Sequence, residues 1–268
     1  MLRTATIDEL PALRQLLLRS NHAPYDLAAV AAEKCFGRGF AGEPVVRVAG
    51  DHDGMAVTCG KYVRILAVDP ERRGRGIGSA LLRDAEERGA TTIAAEPGNY
   101  FTPGVIDTDA TTLAFLRNRG YRETASTHNL EAPLADLPSS DARRAGIEER
   151  DRVLAFIEQH FGRIWRFEAA RAFEADPPTL FVVEENGQLA GFAAHDANNR
   201  GLGFFGPTGV DPTLRGRGLG RRLLLASLAD LALLGFSTAV IPWTDALEFY
   251  AKSCGARVVG RFVTVTKG

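Results

Sequence analysis

The sequence is poor in the residues that build disulfide frameworks and metal sites. Among its 268 residues are three cysteines, Cys35, Cys59 and Cys254, which are far apart and show no CxxC spacing. An odd, scattered set excludes a disulfide scaffold and favours free thiols in a reducing compartment. The five histidines form neither an HxxxH nor an HExxH pair. We therefore expect no metal site.

The chain also lacks a long hydrophobic run and an excess of charge of either sign. Its most apolar stretch, residues 223–236, is too short to span a bilayer and contains Asp230. The N-terminal residues carry charges among their apolar positions, unlike a signal peptide. The net charge of −1 provides no general attraction to nucleic acid or to an anionic membrane. We expect a cytoplasmic protein with neither of these partners.

What the sequence does contain is an internal repeat. Residues 68–78, "VDPERRGRGIG", and residues 210–220, "VDPTLRGRGLG", match at eight of eleven positions and begin 142 residues apart. Each copy follows a strand-like segment and leads into a helix; in the first, Ile77, Leu81 and Ala85 recur at helical spacing. The length suits two domains of ordinary size. The repeat therefore predicts one domain present twice.

The predicted elements follow the same order in both halves. We expect an N-terminal domain at 1–134 and a C-terminal domain at 147–268. Between them, residues 135–146 are rich in proline, serine and charge and are predicted to form a linker. The helix after the turn is shorter by four residues in the first copy. Four residues make about one helical turn, so we expect the fold to survive the deletion.

The repeated segment has the layout of a phosphate-binding turn. Glycines lack Cβ atoms, so backbone N–H groups can converge on one oxyanion, and the helix N-terminus adds a favourable dipole. Arg73 or Arg215 can add a bidentate contact. The P-loop pattern GxxxxGK[ST] is absent. A GxGxxG pattern at 37–42 follows a helical segment rather than a strand, so we interpret it as a loop.

The pattern Arg-x-x-Gly-x-Gly between a strand and a helix resembles motif A of the GNAT superfamily of N-acetyltransferases, twice over nearly the whole chain. The resemblance implies an α/β (α+β) fold with two tandem domains, each a mixed, mostly antiparallel sheet flanked by helices. In that family the turn holds the pyrophosphate of acetyl-CoA, and the preceding strand receives the pantetheine arm. The cofactor positions implied are Val68, Arg73, Gly74, Arg75, Gly76, Ile77 and Gly78, and Val210, Arg215, Gly216, Arg217, Gly218, Leu219 and Gly220.

The family reaction is a direct attack of a neutral amine on the thioester, and the departing thiolate needs a proton. In many members a tyrosine on the helix after the fifth strand supplies it. The second copy has Tyr250 there, whereas the first has Leu116, which cannot donate a proton. Tyr250 precedes Gly255 by five residues, where the family usually has four. We predict that the C-terminal copy is catalytic and that the N-terminal copy binds acyl-CoA or serves as scaffold.

Several residues are candidates for the general base. His195 is predicted at the end of a strand near the cofactor region, and Asp245 and Glu248 open the helix that carries Tyr250. Each carboxylate also suits a helix start or an exposed surface, and water led out by a backbone carbonyl is a further alternative. In the first copy, Glu96 and Tyr100 belong to an unusually long loop that suits a ligand pocket or an interface.

The expected acceptor is a primary amine of a small molecule, with amino sugars, aminoglycosides, polyamines and amino acids all open. Mycothiol synthases are also tandem members of the family, but they usually lead into the tyrosine helix with Asn-x-x-Ala. The present chain has Trp243-Thr-Asp-Ala, which disfavours them. The rival functions are a non-enzymatic acyl-CoA sensor, which needs no Tyr250, and a protein or peptide amine acetyltransferase. The oligomeric state is open, a homodimer included.

Overall fold

The computed structural model describes residues 1–20 and 24–268. These residues form two compact units, one built from Met1–Thr127 with Gly260–Gly268 and one from His128–Val259. The first unit is therefore not contiguous in sequence, unlike the two ranges predicted above. Its last strand comes from the C-terminus of the chain, a choice that depends on long-range strand pairing rather than on local sequence.

The first half of the chain contains four α-helices and seven strands among its described residues. In chain order they are β1 (Leu2–Thr4), α1 (Leu10–Ser20), α2 (Ala31–Phe36), β2 (Val45–Ala49), β3 (Gly54–Cys59), β4 (Tyr62–Val68), α3 (Ile77–Glu87), β5 (Thr92–Ile93), β6 (Val105–Ile106), α4 (Ala110–Arg117) and β7 (Arg122–Pro133).

The second half repeats this order closely. Its elements are β8 (Arg143–Arg144), α5 (Arg150–Phe161), α6 (Arg163–Ala170), β9 (Leu180–Glu185), β10 (Gln188–His195), β11 (Phe205–Val210), α7 (Leu219–Leu233), β12 (Thr238–Thr244), α8 (Leu247–Cys254) and β13 (Arg257–Thr266). Strands β9 and β10 form a hairpin joined by Asn186 and Gly187, a residue pair that favours a two-residue turn, and both residues have the positive φ angles that this turn requires.

The sheet of the first unit runs in the order β1-β2-β3-β4-β5-β13. Neighbours are antiparallel except for β4 and β5, which are parallel. Strand β13 joins it through its last residues, with Val265 opposite Ile93. The buried side chains of Val63, Leu82 and Val263 form part of the core between this sheet and helices α3 and α4. The mixed, mostly antiparallel sheet predicted from the sequence is thus confirmed for this unit.

The second unit has the same plan. Strands β8, β9, β10 and β11 are antiparallel neighbours, and Phe204 and Val240 form a parallel bridge beside the start of β12. The second half of β7 pairs antiparallel with β12, with Leu130 opposite Ile241. Helix α7 covers one face of this sheet, and α5 and α6 cover the other. The prediction of one fold present twice is confirmed.

The helices after the two turns differ in length as predicted. Helix α3 has 11 residues and α7 has 15. Gly89 and Gly235, which follow their ends, have φ angles of 91° and 93°. Helix α3 is therefore shorter by about one turn, but the backbone leaves both helices through a glycine of the same left-handed conformation.

The segment predicted as a linker, residues 135–146, lies within the second unit. Its Ser140 hydroxyl donates a hydrogen bond to the backbone carbonyl of Arg222 on α7. Strand β8, at the end of the segment, pairs with β9. In the described part of the chain, no helix is long and apolar enough to cross a membrane.

Candidate active site

The two glycine turns have nearly the same backbone conformation. Gly74 and Gly76 have φ angles of 75° and 81°, and Gly216 and Gly218 have φ angles of 80° and 78°. Such left-handed angles strain any residue with a Cβ, and a Cβ built at these four glycines meets no atom within 4 Å. The glycines are therefore required by backbone conformation, not by crowding, and the space in front of the turn is open.

An aspartate fixes the start of each turn. The side chain of Asp69 accepts a hydrogen bond from the backbone N–H of Glu71, 3.0 Å away. Asp211 does the same for Thr213 at 2.8 Å. Each aspartate therefore orders the short 3₁₀ turn that leads into the glycines.

The third glycine of each turn lies against an aromatic ring of the later helix. A Cβ at Gly78 would lie 3.6 Å from the ring of Phe115 on α4, and one at Gly220 would lie 3.6 Å from that of Phe249 on α8. Phe115 and Phe249 occupy corresponding places one residue before Leu116 and Tyr250. The two copies therefore share the same packing next to the position where their side chains differ, which is Leu116 in the first and Tyr250 in the second.

The predicted cofactor positions come together in both units. The Nε of Arg73 donates to the carbonyl oxygen of Val68 at 3.2 Å, across the turn. Arg75, Arg215 and Arg217 are exposed beside their glycines. Ile77 and Leu219 are the first residues of α3 and α7. Each turn thus presents backbone N–H groups, a helix N-terminus and arginines at one place, which is suited to a phosphate group.

In the first unit β4, which leads into the turn, separates from its parallel neighbour β5. Strands β4 and β5 pair only at Tyr62 with Thr92 and at Val63 with Ile93. A cavity of about 1010 Å³ opens beyond the last pair, and the turn, β4 and α4 line it. Ala94 and Ala95, with φ angles of 53° and 52°, end β5 early. For this reason β5 is only two residues long.

The long loop after β5 is held by a buried ion pair. Arg64 and Glu96 are both fully buried, and their side chains make two hydrogen bonds of 2.5 and 3.0 Å. Arg64 also donates to the carbonyl oxygen of Gly37. Glu96 therefore anchors the loop to β4, and Tyr100, also predicted as a pocket residue, is buried. Thr102 and Gly104 of the same loop line the cavity.

Tyr250 lies on α8 with 6% of its surface exposed. Its ring packs edge-on against those of Phe205 and Phe249, at interplanar angles of 76° and 72° and with centroids 6.3 and 5.0 Å away. Burial raises the pKa of the Tyr250 hydroxyl, and a hydrogen-bonding interaction with the Thr244 side chain opposes this in part. The hydroxyl is thus protonated at neutral pH and lies beside the end of β12. The extra residue before Gly255 is accommodated because α8 continues to Cys254.

His195 lies at the end of β10, fully buried. Its Nε2 is 2.8 Å from Asp230 on α7, and Asp230 also forms an ion pair with Arg144. The Nδ1 atom of His195 is buried without a hydrogen-bond partner. This environment joins the sheet to α7 and favours a structural role, so His195 as a base stays a prediction without geometric support.

Asp245 follows β12 and is largely exposed. One of its carboxylate oxygens lies 3.2 Å from Nδ1 of His128. His128 is directly opposite Thr244 in the pairing of β7 with β12, and Thr244 interacts with Tyr250. Sequence reasoning missed His128 because its partner is 117 residues away and no local pattern marks it. The sequence does mark the segment after α4 as a strand, because it is long and rich in β-branched residues. It does not reveal which strand this segment pairs with.

A bulge shapes this end of β12. The pairing with β7 shifts between Ile241 and Thr244, and Trp243 has a φ angle of 51°. The backbone N–H of Trp243 donates to the side chain of the buried Asn129. Bulges of this kind redirect the side chains that follow them, here Thr244 and Asp245. Among the residues that the structure describes, no group of three or more His, Cys, Asp or Glu side chains is arranged to hold a metal ion.

Two family models match the chain, one over each repeat. The model for the acetyltransferase (GNAT) family matches residues 140–256, and a model for an acetyltransferase (GNAT) domain matches residues 29–123. The two matches contain one glycine turn each.

Curated relatives include several mycothiol acetyltransferases. That of Thermomonospora curvata is 29% identical over 194 residues, which is 66% of this chain and 63% of the relative. That of Mycolicibacterium vanbaalenii is 30% identical over 184 residues, 62% of this chain and 59% of the relative. The matched region thus spans about three fifths of the length of these relatives.

Solved structures show the same fold at low identity. A GCN5-related N-acetyltransferase from Sphaerobacter thermophilus has a TM-score of 0.75 at 19% identity, with 100% of this chain and 95% of that chain covered. A tandem GNAT protein from the clavulanic acid biosynthesis pathway has a TM-score of 0.66 at 21% identity, with 99% and 98% covered. With a GNAT model on each half, the chain belongs to the GNAT acetyltransferase family and carries two GNAT domains in tandem.

Proposed function

We propose that this protein transfers an acetyl group from acetyl-CoA to a primary amine of a small molecule, and that the second unit carries out the transfer. The observation that carries the proposal is the difference between two otherwise matched sites. Both have the same glycine turn and the same phenylalanine against it, but Tyr250 stands where the first unit has Leu116.

Acyl-CoA is the co-substrate that the GNAT family uses. In the proposed complex the pyrophosphate accepts hydrogen bonds from the backbone N–H groups of the turn at Gly216 and Gly218. Arg215 and Arg217 add positive charge beside them. The pantetheine arm then follows β11, beginning at Val210. Because the left-handed glycines leave the front of the turn open, the phosphate oxygens can approach the backbone closely.

The acceptor amine attacks the thioester carbonyl carbon in its neutral form, so a group must take up the proton that it loses. We propose that His128 takes up this proton. If Nδ1–H donates to Asp245, which lies 3.2 Å away, Nε2 carries a lone pair and is available as a base. Asp245 is then a positioning residue that fixes the tautomer of the imidazole. Strand β11, FGPTGV, offers no ionisable side chain for the same task.

As the carbon–nitrogen bond forms and the carbon–sulfur bond breaks, the leaving thiolate of CoA takes up a proton. We propose that the Tyr250 hydroxyl donates it. Burial raises the pKa of this hydroxyl, so Tyr250 holds its proton at neutral pH until the thiolate forms.

A small-molecule acceptor is favoured by the mycothiol acetyltransferases among the relatives. Their identity is near 30%, and about two fifths of their length lies outside the match. The tyrosine helix also follows Trp243-Thr-Asp-Ala rather than Asn-x-x-Ala. We therefore propose the class of acceptor, a small molecule with a primary amine, and not one compound.

The proposal is tested by measuring thiol release from acetyl-CoA by the full chain. The acceptor panel contains amino sugars, aminoglycosides, polyamines, amino acids, the mycothiol precursor and short peptides. We expect release that depends on a small amine. Binding of acetyl-CoA without thiol release from any acceptor would instead favour a sensor, and release with peptides alone would favour a peptide acetyltransferase.

The assignment of the two units needs its own variants. Tyr250→Phe should lower kcat by at least tenfold, whereas the double variant Gly76→Glu, Gly78→Glu disables the first turn and should leave most of the turnover. A near-normal rate for Tyr250→Phe together with loss of activity in the double variant would move catalysis to the first unit.

A further inference from the structure

The cavity of the first unit passes through the plane of its sheet. Leu66 and Val68 pack with Ile77 on the side of α3. Because side chains alternate along a strand, Ile65 and Ala67 point to the opposite side. Both pairs line the same cavity. The space therefore continues from the glycine turn, through the gap between β4 and β5, to the far face of the sheet.

The far half of this cavity is lined mainly by apolar residues, which include Leu17 and Leu27 together with Ile65 and Ala67 of β4. Ser20 and Arg64, polar residues that also line the cavity, are already hydrogen-bonded within the protein. Among the described residues that line the cavity, Asp109 carries the one carboxylate, and it caps α4 by accepting from the backbone N–H of Thr112. A charged amine would therefore lack a free counter-ion there, whereas a hydrocarbon chain would bury its surface favourably.

The second unit fills the corresponding space. Gly209 and Ala67 each precede the valine of the repeated Val-Asp-Pro sequence. A Cβ at Gly209 would lie 2.5 Å from the ring of Phe161, at the end of α5. That ring stacks on Trp165, with centroids 5.2 Å apart, and contacts Phe192. The second unit thus has an aromatic side chain at the place where the first has open volume.

We propose that the first unit binds the CoA thioester of an acyl chain longer than acetyl, with the hydrocarbon in the far half of the cavity. The second unit takes a short acyl group because Phe161 limits the space beside β11. The inference rests on the proposed role of the glycine turns in holding CoA. Leu116 supplies no proton to a leaving thiolate, so the first unit retains its ligand without transferring the acyl group.

Calorimetric titration of the full chain with acetyl-CoA and hexanoyl-CoA tests the inference. Gly218→Glu, which disables the second turn, isolates the first site. Each buried methylene strengthens binding by about fourfold, or about 0.8 kcal/mol. We expect hexanoyl-CoA to bind the first site at least tenfold more tightly than acetyl-CoA. Ala67→Phe should abolish this preference while acetyl-CoA still binds, and Leu27→Phe should do the same from the opposite wall.

A reciprocal variant examines the second unit. Phe161→Ala should raise turnover of hexanoyl-CoA relative to acetyl-CoA by at least tenfold, while Trp165→Ala, which leaves the Phe161 ring beside Gly209, should change the ratio less. Equal affinities for the two thioesters at the first site, or a preference that survives both cavity-filling variants, would overturn the inference but leave the transferase proposal standing. Binding unaffected by Gly76→Glu, or no binding of either thioester, would overturn the role of the turn itself.

Discussion

At the scale of single residues, the two halves of the chain differ most in chemistry at one position of a matched helix. Leu116 is fully buried on α4, and Tyr250 is nearly so on α8. Both lie beside the phenylalanine that packs on the third glycine of the turn. The packing demand on the two side chains is therefore similar, and the hydroxyl is what the second unit adds. It lies beside Thr244, whose partner across the strand pair is His128.

The proposed proton acceptor is tested by removing its basic nitrogen. His128→Gln should lower kcat/KM for the amine by about tenfold or more, because the glutamine side chain has no basic nitrogen to take up the proton. Asp245→Asn, which removes the carboxylate that orients the imidazole, should also lower kcat/KM. His52→Gln is the matched control, because His52 also contacts a carboxylate, Glu9 at 2.8 Å. An unchanged kcat/KM in His128→Gln would contradict the assignment.

Glu149 makes the stability of the second unit sensitive to acid. Hydrogen bonds from Arg143 and from the backbone N–H of Gly146 hold its pKa at about 2. A lowered carboxyl pKa stabilises the fold above the unfolded value, near 4.5, and this contribution is lost as pH falls from there towards 2. We expect Glu149→Gln to unfold at lower denaturant concentration than wild type at pH 7. The difference should shrink steadily in urea titrations from pH 5 to pH 3.

At the scale of elements, the backbone conformation of each glycine turn is specified by the sequence of the turn itself. The aspartate orders the entry, two left-handed glycines turn the chain, and the helix begins at the next residue. The third glycine allows the later helix to approach, with Phe249 against Gly220. Since the entry and the two left-handed glycines depend on neighbouring residues, the two copies keep nearly the same φ angles although their helices differ in length.

The two glycines that flank α7 allow the effect of backbone strain on stability to be distinguished from an effect on CoA binding. Gly218 and Gly235 lie before and after the helix with φ angles of 78° and 93°, and a Cβ at either meets no atom within 4 Å. Substitution by alanine should cost about 1–2 kcal/mol in each case, from the left-handed backbone alone. Only Gly218→Ala should raise the KM for acetyl-CoA, by at least tenfold, because its methyl group occupies the front of the turn. Equal KM values in the two variants would argue against the turn as the CoA site.

At the scale of the whole molecule, each unit depends on a strand from a distant part of the chain. The first unit includes in its sheet the C-terminal part of β13, where Phe262, Val263 and Val265 are buried. The second unit takes the latter part of β7, where Leu130 and Ala132 are buried opposite β12. The first unit is therefore completed only when Gly260–Gly268 is present, whereas the second unit is contiguous in sequence.

Removal of residues Gly260–Gly268 should therefore damage the first unit more than the second. Each of the three large buried side chains lost is worth about 1.5–3 kcal/mol, a sum comparable to the stability of a whole domain. Hydrogen exchange should show loss of protection in β4 and β5 and retention in β9 and β10. Truncation after Thr266 is the control and should retain protection in both. Loss confined to β9 and β10 would contradict this division of the chain.

The sequence by itself determined the two turns, the helices that follow them, the hairpin at Asn186-Gly187 and the family, because these depend on residues close together in the chain. It also showed that Tyr250 and Leu116 occupy corresponding positions, since the repeat aligns them. Only the tertiary structure decided that β7 and β13 each serve two units. It also decided that His195 contacts Asp230, that His128 contacts Asp245, and that Phe161 lies beside Gly209, whereas a cavity lies beside the corresponding Ala67 of the first unit. A strand carries no local mark of the sheet it joins, and such contacts link residues that only strand pairing and helix packing bring together.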